Sequence, residues 1–189
     1  HKKEIDAAKK VLAFYDIHGM ELDLSAMFDF SDCSLLSHSK ADIPHQSYEE
    51  QLKTTETKPV STYVPFRNGL FLSAAASIGL AKSCSYIYCG AHRDDAAGNA
   101  YPDCSEAFFH SMNKAVFEGS GKQIQLIAPF IDKNKAQIVR EGLRLQVPYA
   151  LTWSCYAGGE QPCGTCATCI DRQRAFALNG ITDPAKTDF

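Results

Sequence analysis

Apolar runs and amphipathic stretches alternate along this chain, and the alternation predicts its elements. Over residues 2–15, Ile5, Ala8, Leu12 and Tyr15 recur at helical spacing with Lys and Glu opposite. That is the pattern of an amphipathic helix, and Gly19 follows as its stop. Met20 to Ser25 reads M-E-L-D-L-S, alternating apolar and polar as a short strand would. Residues 29–60 are polar and mixed, with Pro44 among Ser, Thr, Asp and His, and read as a long surface excursion or lid.

The second half is more regular. Arg67-Asn68-Gly69 opens the run L-F-L-S-A-A-A-S-I-G-L-A at 70–81, which predicts a helix buried against a sheet. Y-I-Y-C-G at 86–90 predicts a buried parallel strand. The Asp-, Gly- and Asn-rich loop 91–104 then lies at the carboxyl end of that strand, where open α/β sheets bind ligands. Ser105 caps a helix to about 119 with Phe108, Phe109, Met112 and Val116 as its apolar face. Gln125 to Ala128 is a further strand closed by Pro129, and 133–146 a further amphipathic helix stopped by Val147-Pro148. A final helix over about 167–178 ends at Asn179-Gly180. Helices alternating with short apolar strands predict an α/β fold with a parallel sheet.

Composition narrows the partners. A net charge of −3 gives no bulk basic field, so neither direct nucleic-acid binding nor attachment to an anionic membrane is expected. No apolar run reaches the roughly 20 residues of a membrane span. The opening H-K-K-E-I-D-A-A-K-K is a charged helical segment and not a signal peptide. With Cys33, Cys84, Cys89 and Cys104 scattered in apolar or mixed surroundings, the expected compartment is the reducing cytoplasm. The chain opens on His1 and enters a helix at once, which leads us to expect a longer parent protein.

The stretch S-C-Y-A-G-G-E-Q-P-C-G-T-C-A-T-C, 154–169, holds half of the eight cysteines. Cys155, Cys163, Cys166 and Cys169 form two overlapping C-x-x-C steps and a fourth sulfur from upstream. Four thiolates within one short loop suit the closed tetrahedral shell of structural zinc. An iron–sulfur cluster also uses four cysteines, but Cys169 is followed by Ile-Asp-Arg-Gln rather than the ferredoxin continuation. Paired disulfides are the third reading and sit poorly with a cytoplasmic chain. With all four positions taken by sulfur, the metal is expected to hold structure and not to catalyse.

Several blocks together resemble the 7-cyano-7-deazaguanine synthases, the queuosine-pathway branch of the PP-loop ATP pyrophosphatases. They are H-K-K-E-I at the start, V-P-F-R-N-G-L-F-L-S at 64–73, G-A-H-R-D-D-A-A-G-N-A-Y-P-D-C at 90–104, P-F-x-x-K-x-K-A-x-I-V at 129–139, and the cysteine stretch followed by Arg172. The resemblance implies a Rossmann-like sheet of the adenine-nucleotide alpha-hydrolase type over 1–150 and a zinc-binding segment and helix over 151–189. It implies conversion of 7-carboxy-7-deazaguanine, ammonia and ATP to a nitrile, with Mg2+, Zn2+ and a homodimer. The family's phosphate loop, S-G-G-x-D-S, is absent from residues 1–189. It is expected upstream of the first helix with the missing strands, so this stretch alone is expected to be inactive.

The resemblance also proposes site residues, each with a plainer alternative. Arg67 and Asn68 contact a nucleotide phosphate or the substrate, or else cap a helix. Asp95 and Asp103 accept from the N–H groups of a guanine-like edge, or else serve turn chemistry. Tyr101 stacks on the base or packs in the core. Lys135 reaches a phosphate or adenylate, or is a solvated helix lysine. Cys104 is a reactive thiol or a small buried residue. Two other readings stay open: a related PP-loop enzyme with another acid substrate, and a non-catalytic zinc-knuckle binding module.

Overall fold

The computed structural model describes residues 2–55 and 58–186. The chain divides into two compact units, one from residues 1–51 with 135–189 and one from 52–134. Compactness thus follows a different line from a boundary at 150/151.

The 52–134 unit carries the parallel α/β core. Strand β1 (Tyr86–Tyr88) pairs in parallel with β2 (Gln125–Ile127), in the register Tyr86–Gln125, Ile87–Leu126, Tyr88–Ile127. Parallel neighbours need a long crossover, and here it contains helix α5 (Glu106–Gly119). Ser105 caps α5 as expected, its Oγ accepting from the Phe108 N–H at 3.1 Å. The apolar face of α5 then closes the core: Phe109 and Val116 join Leu72, Ile124 and Leu126, with Phe108, Met112 and Ile87 packed around them. Asn113 adds a polar tie, its Oδ1 accepting from the Leu126 N–H at 2.8 Å. In a parallel ladder successive N–H groups face opposite sides, so this amide occupies an edge that would otherwise lack a partner.

Helix α3 (Arg67–Ala81) lies where the sequence predicts, but only Gly69, Leu72 and Gly79 of it are buried. Phe71 and Leu80 stay exposed. The strand at 86–90 is likewise shorter and less buried than expected, with Tyr86 and Tyr88 exposed. Both corrections have one cause: a two-stranded sheet covers one stripe of a helix, however apolar the rest of that helix is.

In the other unit, α1 (Lys2–Phe14), α6 (Lys135–Arg144) and α7 (Ala167–Ala177) form as predicted within two residues. Val139, Ala175 and Phe176 form its core, with Ala136, Leu143 and Tyr149 alongside. Tyr149 meets Phe176 edge-on at 5.0 Å, and its hydroxyl lies directly on Gly142, where any Cβ would collide with it. Asn179 donates to the carbonyls of Ala136 at 2.9 Å and Ala175 at 2.8 Å, tying α6 to the end of α7.

Two expectations fail between residues 20 and 60. Met20 to Ser25 is not a strand; 3-10 turns begin at Ser25. Met20 and Leu22 are 62% and 53% exposed, so their alternation has no sheet to face. Asp23 instead accepts from the Ser25 N–H at 2.8 Å, a local turn that competes with extended backbone. The excursion from 29 also holds more structure than a lid, including helix α2 (Tyr48–Thr55) and the buried residues Cys33, Ser34 and Tyr48. Its residues 56 and 57 lie outside the described residues.

Candidate functional site

The sulfur atoms of Cys155, Cys163, Cys166 and Cys169 converge within 4.8 Å of one another. Cys163 and Cys169 lie 4.0 Å apart, sulfur to sulfur, close to the roughly 3.8 Å edge of a tetrahedron with metal–sulfur bonds of about 2.3 Å. Cys155, Cys166 and Cys169 are buried. Backbone amides are aimed at the sulfurs: Ala157 and Cys163 donate to Cys155 Sγ at 3.4 and 3.3 Å, and Cys166 donates to Cys163 Sγ at 3.3 Å. Such donors favour thiolates over thiols. Among the four, protons are held unequally. The hydrogen bond from Cys169 pulls Cys166 down to about 4, and that same bond, with burial, pushes Cys169 up. Donor type, spacing and burial all fit one closed-shell zinc ion.

Arg172 braces this loop from α7. Its Nε and Nη2 donate to the two oxygens of Asp183 at 2.7 and 2.9 Å. Nη1 donates to Thr152 Oγ1 at 2.7 Å, and Nη2 also donates to the Tyr149 carbonyl at 3.1 Å. Both charged side chains are nearly buried, so every donor of the guanidinium fork must be used; a fifth bond, from Nη1 to Ser154 Oγ at 3.4 Å, completes the set. Motif matching picks out Arg172, but its partner Asp183 has no signal in the sequence.

The loop after β1 presents a different chemistry. Its first anchor is backbone: Arg93 N–H donates to the Lys133 carbonyl at 3.0 Å. A single helical turn, α4 (Arg93–Ala96), follows, and the Tyr101 N–H closes back on the Asp95 carbonyl at 3.1 Å. Pro102 then opens a 3-10 turn through Cys104.

The predicted residues divide by what they touch. Asp103 is 6% exposed, and its Oδ2 accepts from the Asn68 N–H at 2.8 Å, capping the start of α3. Asn68 returns the tie through its side chain, donating to the Asp103 carbonyl at 3.2 Å and to Cys104 Sγ at 3.1 Å. Burial holds the Asp103 carboxyl above its ordinary value, although the Asn68 amide and the Arg67 charge oppose this. Tyr101 is 4% exposed, and its hydroxyl shares a 2.6 Å hydrogen bond with Thr62. Burial, with the Asp95 and Asp103 charges, pushes the Cys104 thiol up to about 12. In this setting the thiol accepts a hydrogen bond from Asn68, and the raised pKa disfavours its thiolate.

Two predicted groups keep a face available. The Asp95 side chain is 27% exposed, and its Oδ2 meets His92 Nε2 at 3.3 Å. Among the described residues no hydrogen bond or ion pair engages the Arg67 guanidinium, which opens α3 beside Asp103. Phe66 precedes it with φ 55, its ring lying over Gly69, where a Cβ would run into it. Lys135 opens α6 and belongs to the other compact unit. The residue that type and periodicity do not single out is His92. Its signal is the spacing in H-R-D-D, which brings His92 and Asp95 together across one turn.

Comparison with known proteins gives these arrangements a family. The family model described as Queuosine biosynthesis protein QueC matches residues 1–180. The 7-cyano-7-deazaguanine synthase of Archaeoglobus fulgidus is 36% identical over 189 residues, covering 100% of this chain and 75% of the relative. That of Psychromonas ingrahamii is 33% identical over 184 residues, covering 97% and 80%. That of Campylobacter jejuni is 38% identical over 167 residues, covering 87% and 71%. The resemblance read from the motif blocks therefore holds along nearly the whole chain, and the chain belongs to the QueC family of queuosine biosynthesis proteins.

Proposed function

We propose that this chain serves the ATP-dependent conversion of 7-carboxy-7-deazaguanine and ammonia to 7-cyano-7-deazaguanine. The observation that carries the reading is the family match over residues 1–180, with relatives so named covered across most of their length. The chemistry has to overcome a poor leaving group. ATP adenylates the carboxylate and releases pyrophosphate; ammonia displaces AMP to give the amide. A second ATP adenylates the amide oxygen with release of a second pyrophosphate, and loss of AMP and two protons from the nitrogen leaves the nitrile.

Within that scheme Arg67 meets an anionic group of the substrate or nucleotide. Its uncommitted guanidinium supports this role, since a fork of donors suits carboxylate and phosphate alike. Asp95 accepts from the N–H edge of the deazaguanine, supported by its partial exposure. Lys135 stands near a phosphate or adenylate. Asp103, Asn68 and Tyr101 shape the pocket from behind, as their own hydrogen bonds suggest. Mg2+ would offset charge on the departing pyrophosphate, and Zn2+ would hold the cysteine loop closed. We further read the protein as a cytoplasmic homodimer that acts on small molecules and does not bind nucleic acid.

The test uses the protein as its gene encodes it, with 7-carboxy-7-deazaguanine, ammonium, ATP and Mg2+. Formation of the nitrile with two AMP per product supports the reading. Absence of both nitrile and AMP overturns it.

A further inference from the structure

We propose that His92 is a positioning residue for the reaction: its Nε2–H holds one oxygen of Asp95 so that the carboxylate presents a fixed face to the bound base. The inference rests on the function proposed above.

The geometry starts from the backbone. His92 is extended, with φ −142 and ψ 163, at the entry to the single turn α4. A turn brings residues three apart onto one side, so the imidazole and the Asp95 carboxylate meet, Nε2 to Oδ2, at 3.3 Å. A carboxylate only accepts, so the proposed tie places a proton on Nε2, while the buried Nδ1 has no hydrogen-bond partner among the described residues. The imidazole is buried, while the Asp95 side chain is 27% exposed. One partner is therefore locked in the protein and the other reaches outward. Two backbone ties hold the turn itself, from Arg93 N–H to Lys133 and from Tyr101 N–H to Asp95.

The Asp103 carboxylate and the Tyr101 hydroxyl of this loop are already engaged within the protein. The Asp103 Oδ2 is taken by the Asn68 amide, and the Tyr101 hydroxyl is paired with Thr62. Asp94 lies 4.0 Å from exposed Arg93. Asp95 combines partial exposure with a buried imidazole beside one oxygen. A carboxylate that recognises adjacent N–H groups needs its plane set in advance, because an unheld side chain loses rotamer freedom on binding. A buried imidazole 3.3 Å from one oxygen supplies that setting.

The experiment compares four variants with the natural full-length protein, reading KM and kcat for 7-carboxy-7-deazaguanine and the melting midpoint of each. His92→Leu removes the donor. His92→Gln places an amide N–H near the reach of Nε2. Asp95→Asn and the double variant His92→Leu/Asp95→Asn complete a cycle. Expected are a KM raised about tenfold in His92→Leu with kcat changed far less, recovery of most of that loss in His92→Gln, and a double variant no worse than Asp95→Asn. Additive losses in the double variant overturn the proposal, because His92 would then not act through Asp95. Equal damage in His92→Leu and His92→Gln, tracking a lower melting midpoint, overturns it in favour of a purely structural role. Should the natural protein make no nitrile, the function fails, and the tie is read directly from the 15N shift of His92 Nε2. A shift unchanged by Asp95→Asn would overturn the tie.

Discussion

The cysteine loop and the strand-end loop hold the chain's chemical groups, and they are built in opposite ways. In the first, four side chains of one kind converge on one point, with sulfurs within 4.8 Å of one another. In the second, unlike polar groups turn to separate tasks: Asp103 caps a helix, Tyr101 pairs with Thr62, and Asp95 faces outward from a histidine support. A metal loop needs only enough residues to wrap an ion, so its ligands lie close in sequence. The strand-end loop commits Asp103 and Tyr101 to partners within the protein, and those partners come from elsewhere in the chain.

The contrast breaks most severely if the metal is dispensable. One equivalent of zinc is expected in the purified protein, and chelation or Cys166→Ser should collapse the loop, because metal binding and local folding are linked. The loss should spread to residues 43–48. Ile43 packs on the cysteines, His45 Nδ1 meets Thr165 Oγ1 at 2.6 Å, and the Tyr48 and Tyr156 hydroxyls lie 3.3 Å apart. Hydrogen exchange followed by mass spectrometry should show 43–48 and 154–169 losing protection together. Unchanged exchange after zinc removal would mean that the loop stands without its metal.

A smaller effect should follow from the brace. Asp183→Ala leaves Arg172 buried beside Phe176 without its carboxylate, a loss of about 3–5 kcal/mol that thermal melting would read as roughly 10 °C. A change within about 1 °C would show that the pair contributes nothing net.

The strand-end loop should answer to pH. Burial raises the Asp103 carboxyl in the folded protein above the ordinary 3.8. The folded state therefore binds this proton more tightly, and the contribution of Asp103 to stability falls as pH rises from 3.8 through the raised value, then levels off. Asp103→Asn should remove that fall, so the melting difference between variant and natural protein should grow in the variant's favour over this window. A difference that shrinks as pH rises would reverse the assignment.

The mildest test is alkylation. At about pH 8 iodoacetamide should label exposed Cys84 and spare Cys104, whose thiol burial pushes to about 12. Rapid labelling of Cys104 would restore it as a reactive group.

Much of this architecture is legible in the amino-acid sequence. The Ser105 cap, the apolar face of α5 and the four cysteines follow from spacings shorter than about twenty residues, where local geometry decides the outcome. Met20 to Ser25 misleads because alternation says only that a strand would be amphipathic, not that a sheet edge waits for it. The apolar run places the helix at 67–81 but overstates its burial, since composition does not tell which stripe is covered. In the loop, residue type makes equals of Asp95 and Asp103. Their different fates depend on Asn68, thirty-five positions from Asp103, and on His92, three positions from Asp95.

By itself, then, the sequence pointed to the family, to the four converging cysteines and to the helices and strands of the second half, because each is written in contiguous motifs or in local periodicity. Only the tertiary structure decided which polar side chains are committed to the protein, as Asp103 is to Asn68 and Tyr101 to Thr62. That commitment is set by hydrogen bonds between distant segments: a buried polar group must find a partner wherever the fold brings one.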